Sequence, residues 1–180
     1  KIKAEGKKCF AVVGTAGTTV RGAIDPLTEI AQFCQKENIW FHIDGAIGGM
    51  FGLSQSTSEI LQGIDSANSL TINPQKILGI VKTSSLLLVA DNKHLSSVFS
   101  TGLPYAEPIG GNDFHGGELG IQGTRSAESL KLWIGLRQLG EMGIEKLLLD
   151  SIKRRSYLES KIDSSKFKIK SGPLHLLALT

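Results

Sequence analysis

Three short apolar runs, at residues 9–13, 39–43 and 69–72, each lead into a residue with chemistry to offer: Thr15, Asp44 and Lys76. Strand and helix signals alternate between them, which predicts an α/β fold with a mainly parallel sheet flanked by helices. In such a sheet ligands sit at the carboxyl ends of the strands, and all three residues fall there. Residues 39–43 are almost wholly apolar, as suits a parallel strand covered on both faces.

The remaining elements follow from periodicity and punctuation. Asp25-Pro26 reads as the start of a helix, with Asp25 as N-cap and Pro26 at the first helical position. Leu27, Ile30, Ala31 and Cys34 then repeat at i, i+3, i+4 and i+7. A weak helix is expected near 58–62 and a strand at 85–90, with Lys76 on the connection before it. Residues 100–120 are rich in Gly and Pro and have no period, and so long a loop in a compact domain is more often functional than structural. A helix at 126–139 is expected to carry Leu130, Trp133, Ile134 and Arg137 on one side. A second, basic helix follows at about 144–161, then strands at 167–169 and 174–179. Trp40 and Trp133 read as core, and His42 as a satisfied core histidine. The Gly/Thr segment 14–19 resembles a phosphate-cradling loop, but it lacks the Gly-Lys-Ser/Thr ending of a nucleotide P-loop.

Composition narrows the function classes. The chain has 180 residues, 41% of them apolar and 21% charged, enough for one domain with a substantial core. Its net charge of +3 is spread along the chain, which gives no case for a nucleic-acid groove. The basic run Lys153-Arg154-Arg155 reads as a solvated helix face. No run approaches a membrane span and no signal-peptide pattern opens the chain, so a soluble, cytoplasmic protein is expected. Two cysteines make no disulfide framework, and four scattered histidines argue against a metal site.

Lys76 and Asp44 suggest the chemistry. A buried lysine amine can condense with an aldehyde, and an aspartate can hold a proton on a ring nitrogen; pyridoxal phosphate chemistry needs both groups. Taken singly, a lysine after a strand is ordinarily a surface residue and an aspartate at a strand end ordinarily a cap or turn residue. Four blocks in order change that reading: residues 17–26 (GTTVRGAIDP), 39–49 (IWFHIDGAIGG), 67–76 (ANSLTINPQK), and 122–125 (QGTR) with 130–133 (LKLW). Together they resemble the group II pyridoxal-phosphate-dependent amino acid decarboxylases, a family acting on glutamate, cysteine sulfinate, aromatic amino acids and diaminobutyrate. The resemblance runs from about residue 6 to about residue 158.

The resemblance implies a fold-type I enzyme, a homodimer with active sites at the subunit interface, that releases CO2 and a primary amine from a small amino acid substrate. It implies pyridoxal 5'-phosphate as cofactor, held as an internal aldimine on Lys76, with Asp44 on the pyridine nitrogen and a quinonoid formed on decarboxylation. By the same resemblance Ala46 packs against the ring, Thr15 lies near the ring hydroxyl, Asn73 helps hold the phosphate, Gln75 is a cofactor-binding residue that can still donate a hydrogen bond, and Arg125 lies near the site. Residues 1–140 correspond to the central and C-terminal part of the cofactor-binding large domain. Residues 141–180 correspond to a connecting helix and the start of a small C-terminal α+β domain. Family members are considerably longer, so a fragment or a piece of a split protein is expected, with the ring-stacking and main phosphate-binding residues outside this chain. The loop with Tyr105, Phe114 and His115 matches the family's catalytic lid. Two departures stand out: Gln75 where the family commonly has His, and Gly45 where it usually has Ala. The rival readings are a catalytically inactive homologue or split-enzyme subunit with a structural or regulatory role, and another fold-type I lyase.

Overall fold

The computed structural model describes residues 5–82, 84–101 and 116–180. Strands β1 (Ala11–Thr15), β2 (Trp40–Gly45), β3 (Ser69–Ile72) and β4 (Leu86–Val89) form one sheet in the order β1-β2-β3-β4. The first three are parallel, and β4 runs antiparallel to β3. Each parallel step moves the same way across the sheet, and right-handed crossovers then place their connections on one face.

Period-two alternation sorts the side chains between the faces. Phe41 and Ile43 are buried with Ile72 in the core. The opposite face carries Trp40, His42 and Asp44 of β2 with their register partners Val13, Thr15, Ser69 and Thr71. Val13 there is 60% exposed. The expected coverage on both faces is therefore not seen among the described residues. Trp40 and His42 lie half-buried on the open face instead of in the core.

Helix α1 (Leu27–Glu37) buries Leu27 and Cys34, with Ile30 and Ala31 packed beside them. It begins differently from the expectation. Pro26 occupies the capping position, and its carbonyl accepts the Ile30 N–H at 3.0 Å. The Asp25 carboxylate instead accepts the Thr15 N–H at 2.8 Å, while the Asp25 N–H donates to the Thr15 carbonyl at 2.9 Å. Asp25 thus ties the end of β1, a stronger use for it than a cap because the strand end would otherwise leave both groups unpaired. Asn38, at φ 53° and ψ 51°, closes the helix in the left-handed conformation.

After β2 the chain folds back tightly. The Gly48 N–H donates to the Ala16 carbonyl at 2.9 Å, and a Cβ on Gly48 would sit 2.4 Å from that same oxygen. Only glycine permits this approach. A 3-10 segment (Gly49–Leu53) then buries Met50 and Phe51, and α2 (Gln55–Ser58) replaces part of the weak helix expected slightly later. α3 (Pro74–Ile77) follows β3, and α4 (Lys93–Phe99), which has no clear apolar period, follows β4.

α5 (Glu128–Glu159) joins the two expected helices across a break at Gly140, where φ is 61° and ψ 176°. Before the break Leu132, Leu136 and Leu139 pack on the core, whereas Trp133 is 60% exposed and Leu130 and Ile134 also face outward. The expected face was rotated because apolar residues of this stretch lie on more than one side, so period alone does not choose between them. Beyond the break Ile144 and Leu148 enter the same core as Phe51, joined by Leu174 from the C-terminal segment. The backbone of residues 168–170 pairs with that of 178–180, an antiparallel contact where two strands were expected.

Two substitutions test this packing. Leu148→Ala removes a fully buried side chain and should lower unfolding free energy by about 2–5 kcal/mol, read from the denaturant midpoint. Gly48→Ala should also lower the midpoint by more than a surface exchange does, because its new methyl meets fixed backbone; an unchanged midpoint would show that the return turn is loose.

Candidate active site

The strand register builds the first half of the site. Thr15 pairs with Asp44 across β1 and β2, and Asp44 with Thr71 across β2 and β3, so the three side chains stand in one row at the carboxyl ends. The Asp44 carbonyl accepts the Ala16 N–H at 2.8 Å, and its carboxylate Oδ1 accepts the Ala46 N–H at 3.0 Å. One carboxylate oxygen is thereby fixed, while the residue as a whole stays exposed. Beneath it, a Cβ on Gly45 would meet Leu70 Cδ1 and the Thr71 carbonyl oxygen, both at 2.9 Å. Glycine at this position is matched by neighbours that have closed over it.

The second half is one tight turn. Pro74, fully buried, starts α3, and the Lys76 N–H donates to the Asn73 carbonyl at 3.0 Å. The buried residues of this turn are Pro74 and Leu78, so Lys76 lies on its outer side. The expectation of a buried lysine is corrected: Lys76 is exposed. Its neighbour Gln75 turns its amide oxygen to the Ser84 N–H at 2.7 Å, so the amide NH2 is the group it has left to donate. Asn73 Oδ1 is buried with no hydrogen-bond partner among the described residues. Amide orientation is an assignment, and with the amide turned over Asn73 would offer a donor from the same spot.

Lys76 lines a cavity of about 300 Å3 with Ser151, Arg154, Arg155 and His175. None of Thr15, Asp44, Ala46, Asn73 or Gln75 lines it. Burial holds the His175 imidazole below its ordinary range, and its ring stacks on Phe51 with centroids 5.7 Å apart. Arg155 was expected on a solvated face. It is largely covered and pairs with Glu159 at 2.8 Å. The only sequence signal for that is the i, i+4 spacing of the two residues. Arg125 ties its own loop, donating to the carbonyls of Gly116 at 3.0 Å and Gln122 at 2.6 Å. Tyr105, Phe114 and His115 lie outside the described residues. Among the described residues no group of three His, Cys, Asp or Glu could hold a metal ion, and no helix is long and apolar enough to cross a membrane.

The residues present fit a ring-nitrogen, aldehyde and phosphate ligand. They offer a carboxylate with one oxygen open at a strand end, a primary amine one turn past the next strand, and a buried amide lacking a partner between them.

Comparisons with known proteins give the family. Residues 1–176 match the profile of the pyridoxal-dependent decarboxylase conserved domain. Acidic amino acid decarboxylase GADL1 of Xenopus tropicalis is 36% identical over 166 residues, 90% of this chain and 32% of its own length. Aromatic-L-amino-acid decarboxylase of Bacillus atrophaeus is 32% identical over 167 residues, 91% of this chain and 35% of its own. The crystal structure of mouse CSAD in its apo form superposes with a TM-score of 0.87 at 31% identity, covering 99% of this chain and 37% of that one. The chain spans about a third of the length of these relatives. With its strands in order, Thr15, Asp44 and Lys76 at their ends and the domain profile matched almost throughout, this chain belongs to the pyridoxal-dependent decarboxylase family.

Proposed function

We propose that this chain is the cofactor-binding core of a pyridoxal 5'-phosphate-dependent carboxy-lyase, which converts a small amino acid to a primary amine and CO2. The observation that carries the reading is the row Thr15, Asp44, Thr71 at three adjacent strand ends, with Lys76 on the turn that follows β3. Bound there, the cofactor supplies an electron-poor ring that takes up the electron pair left when CO2 departs.

The chain's own residues do the rest. Asp44 would present a carboxylate to a ring N–H, and an anion beside that nitrogen favours the protonated ring. The Ala46 N–H holds one of its oxygens, so the carboxylate is oriented before any ligand arrives. Lys76 would contribute the primary amine for covalent attachment and, once released and carrying a proton as the ammonium, a group that can return that proton. Thr15 offers its hydroxyl beside Asp44, and the Ala46 methyl covers the ring face. Asn73 and Gln75 offer amide donors to the phosphate. The active assembly in this reading is a cytoplasmic homodimer with the site at its interface. Its exposed apolar residues Val13, Leu87 and Trp133 supply surface for that contact.

A second reading has its own observation. Lys76 and Asp44 are both exposed, and the cavity that Lys76 lines holds no other candidate residue. That favours a homologue whose fold persists without catalysis. One experiment separates the two: borohydride reduction of the full-length native protein after incubation with pyridoxal 5'-phosphate, followed by peptide mapping. The first reading expects a phosphopyridoxyl group on Lys76 alone; scattered labelling of surface lysines supports the second.

Two variants sharpen the result. Lys76→Ala should lose both the adduct and turnover while keeping the wild-type unfolding midpoint, and decarboxylation at a near-normal rate would remove Lys76 from the reaction. Asp44→Asn should lower turnover by about a hundredfold or more, equivalent to about 2.7 kcal/mol of barrier. As an exposed substitution it should change stability by less than about 0.5 kcal/mol, so equal losses in both would mark Asp44 as structural.

A further inference from the structure

The face that presents Asp44 also carries a hydrogen-bonded row that the proposed reaction leaves unused. Trp40 Nε1–H donates to Ser69 Oγ at 2.9 Å. His42 Nδ1 lies 2.8 Å from the same oxygen, and His42 Nε2 lies 3.4 Å from Thr71 Oγ1. Thr71 is in turn the register partner of Asp44. The row therefore runs from Trp40 through Ser69, His42 and Thr71 to the side of Asp44, along two strands about 4.8 Å apart.

Counting protons gives the row a direction. An indole N–H can only donate, so Ser69 Oγ accepts from Trp40. Ser69 is 7% exposed, and a buried hydroxyl proton needs an acceptor. Among the described residues the acceptor within reach is His42 Nδ1. Nδ1 then has no proton of its own, Nε2 carries it, and Nε2–H donates to Thr71 Oγ1. Every donor in the row points towards Asp44, and the hydroxyl proton of Thr71 is its free end. The ladder neighbours of His42 are Val13 and Ser69, neither of them charged, so neither gives the imidazole an ion pair that would explain its placement.

The geometry points to His42 as a positioning residue: held as one tautomer between Ser69 and Thr71, it aims the Thr71 hydroxyl along the row beside Asp44, the ladder partner from which that hydroxyl would orient the carboxylate that meets the cofactor ring. This rests on the role proposed above for Asp44.

The test begins with the cofactor-free full-length protein. Nitrogen-15 NMR of labelled histidine should show His42 with its proton on Nε2; a proton on Nδ1 overturns the assignment. In the holoprotein, His42→Phe and Thr71→Val should each weaken pyridoxal 5'-phosphate binding by about tenfold, the low end of what losing an outer partner costs at other built sites. Both should shift the balance of the bound cofactor's absorption bands, which report ring protonation, and His42→Gln should restore much of it because its amide can still donate to Thr71. A purely structural role would move the unfolding midpoint and leave the bands alone. If His42→Phe does not fold, the isosteric Thr71→Val decides the matter by itself. Bands and affinity unchanged in these variants but altered in Asp44→Asn overturn the positioning role alone. A wild-type protein that takes no cofactor on Lys76 overturns the proposed function and this role with it.

Discussion

The register of three parallel strands is the constraint on which the rest depends. Side chains alternate with a period of two, so a slip of one residue in β2 would turn Asp44 into the core and Ile43 out to solvent. Phe41 and Ile43 prevent that slip, since both are fully buried against the helices of one face. Each such side chain is worth about 1.5–3 kcal/mol of burial. The hydrophobic face thus decides, at a distance, which residues the polar face displays. Asp44 is where it is because its neighbours in sequence are apolar.

The ends of the strands are held by a small set of specific contacts. Asp25 exchanges two hydrogen bonds with Thr15, and the Gly48 N–H reaches the Ala16 carbonyl. Both join the carboxyl end of β1 to chain that lies later in sequence. Leu174, fully buried, fits over the same spot: a Cβ on Gly17 or Gly48 would lie within 2.7 Å of its Cδ1. The C-terminal segment is therefore part of what keeps the first strand end in shape. Through Phe51 and His175 it also reaches the cavity that Lys76 lines. Gly140 interrupts the helical backbone of α5 without interrupting this packing, because residues on both sides of it contact one core.

Much of this was legible in the sequence, and the exceptions have physical causes. The order of strands and helices followed from apolar runs and from the Leu27, Ile30, Ala31, Cys34 spacing. Asp25 was misread because an aspartate before Pro-Leu satisfies the local rule for a cap, whereas its partner, the Thr15 backbone, is ten residues away. Trp133 was misread because this stretch of its helix is apolar on more than one side, and only the position of the core selects Leu132, Leu136 and Leu139. The spacing of Arg155 and Glu159 allows their ion pair, but the burial of that pair and the stacking of His175 on Phe51 left almost no trace, since both depend on where α5 and the C-terminal segment come to rest.

By itself the sequence determined which chemical groups stand at the strand ends, because strand length and alternation are local properties of the apolar pattern. The tertiary structure decided the rest: which face of the sheet stays open, that Thr15, Asp44 and Thr71 share one row, and that Lys76 projects outward from its turn. It also joined Trp40, Ser69, His42 and Thr71 into a directed chain of hydrogen bonds. Those outcomes depend on pairing between segments some thirty residues apart, and such pairing is set by the burial of whole faces, which no single stretch of sequence encodes.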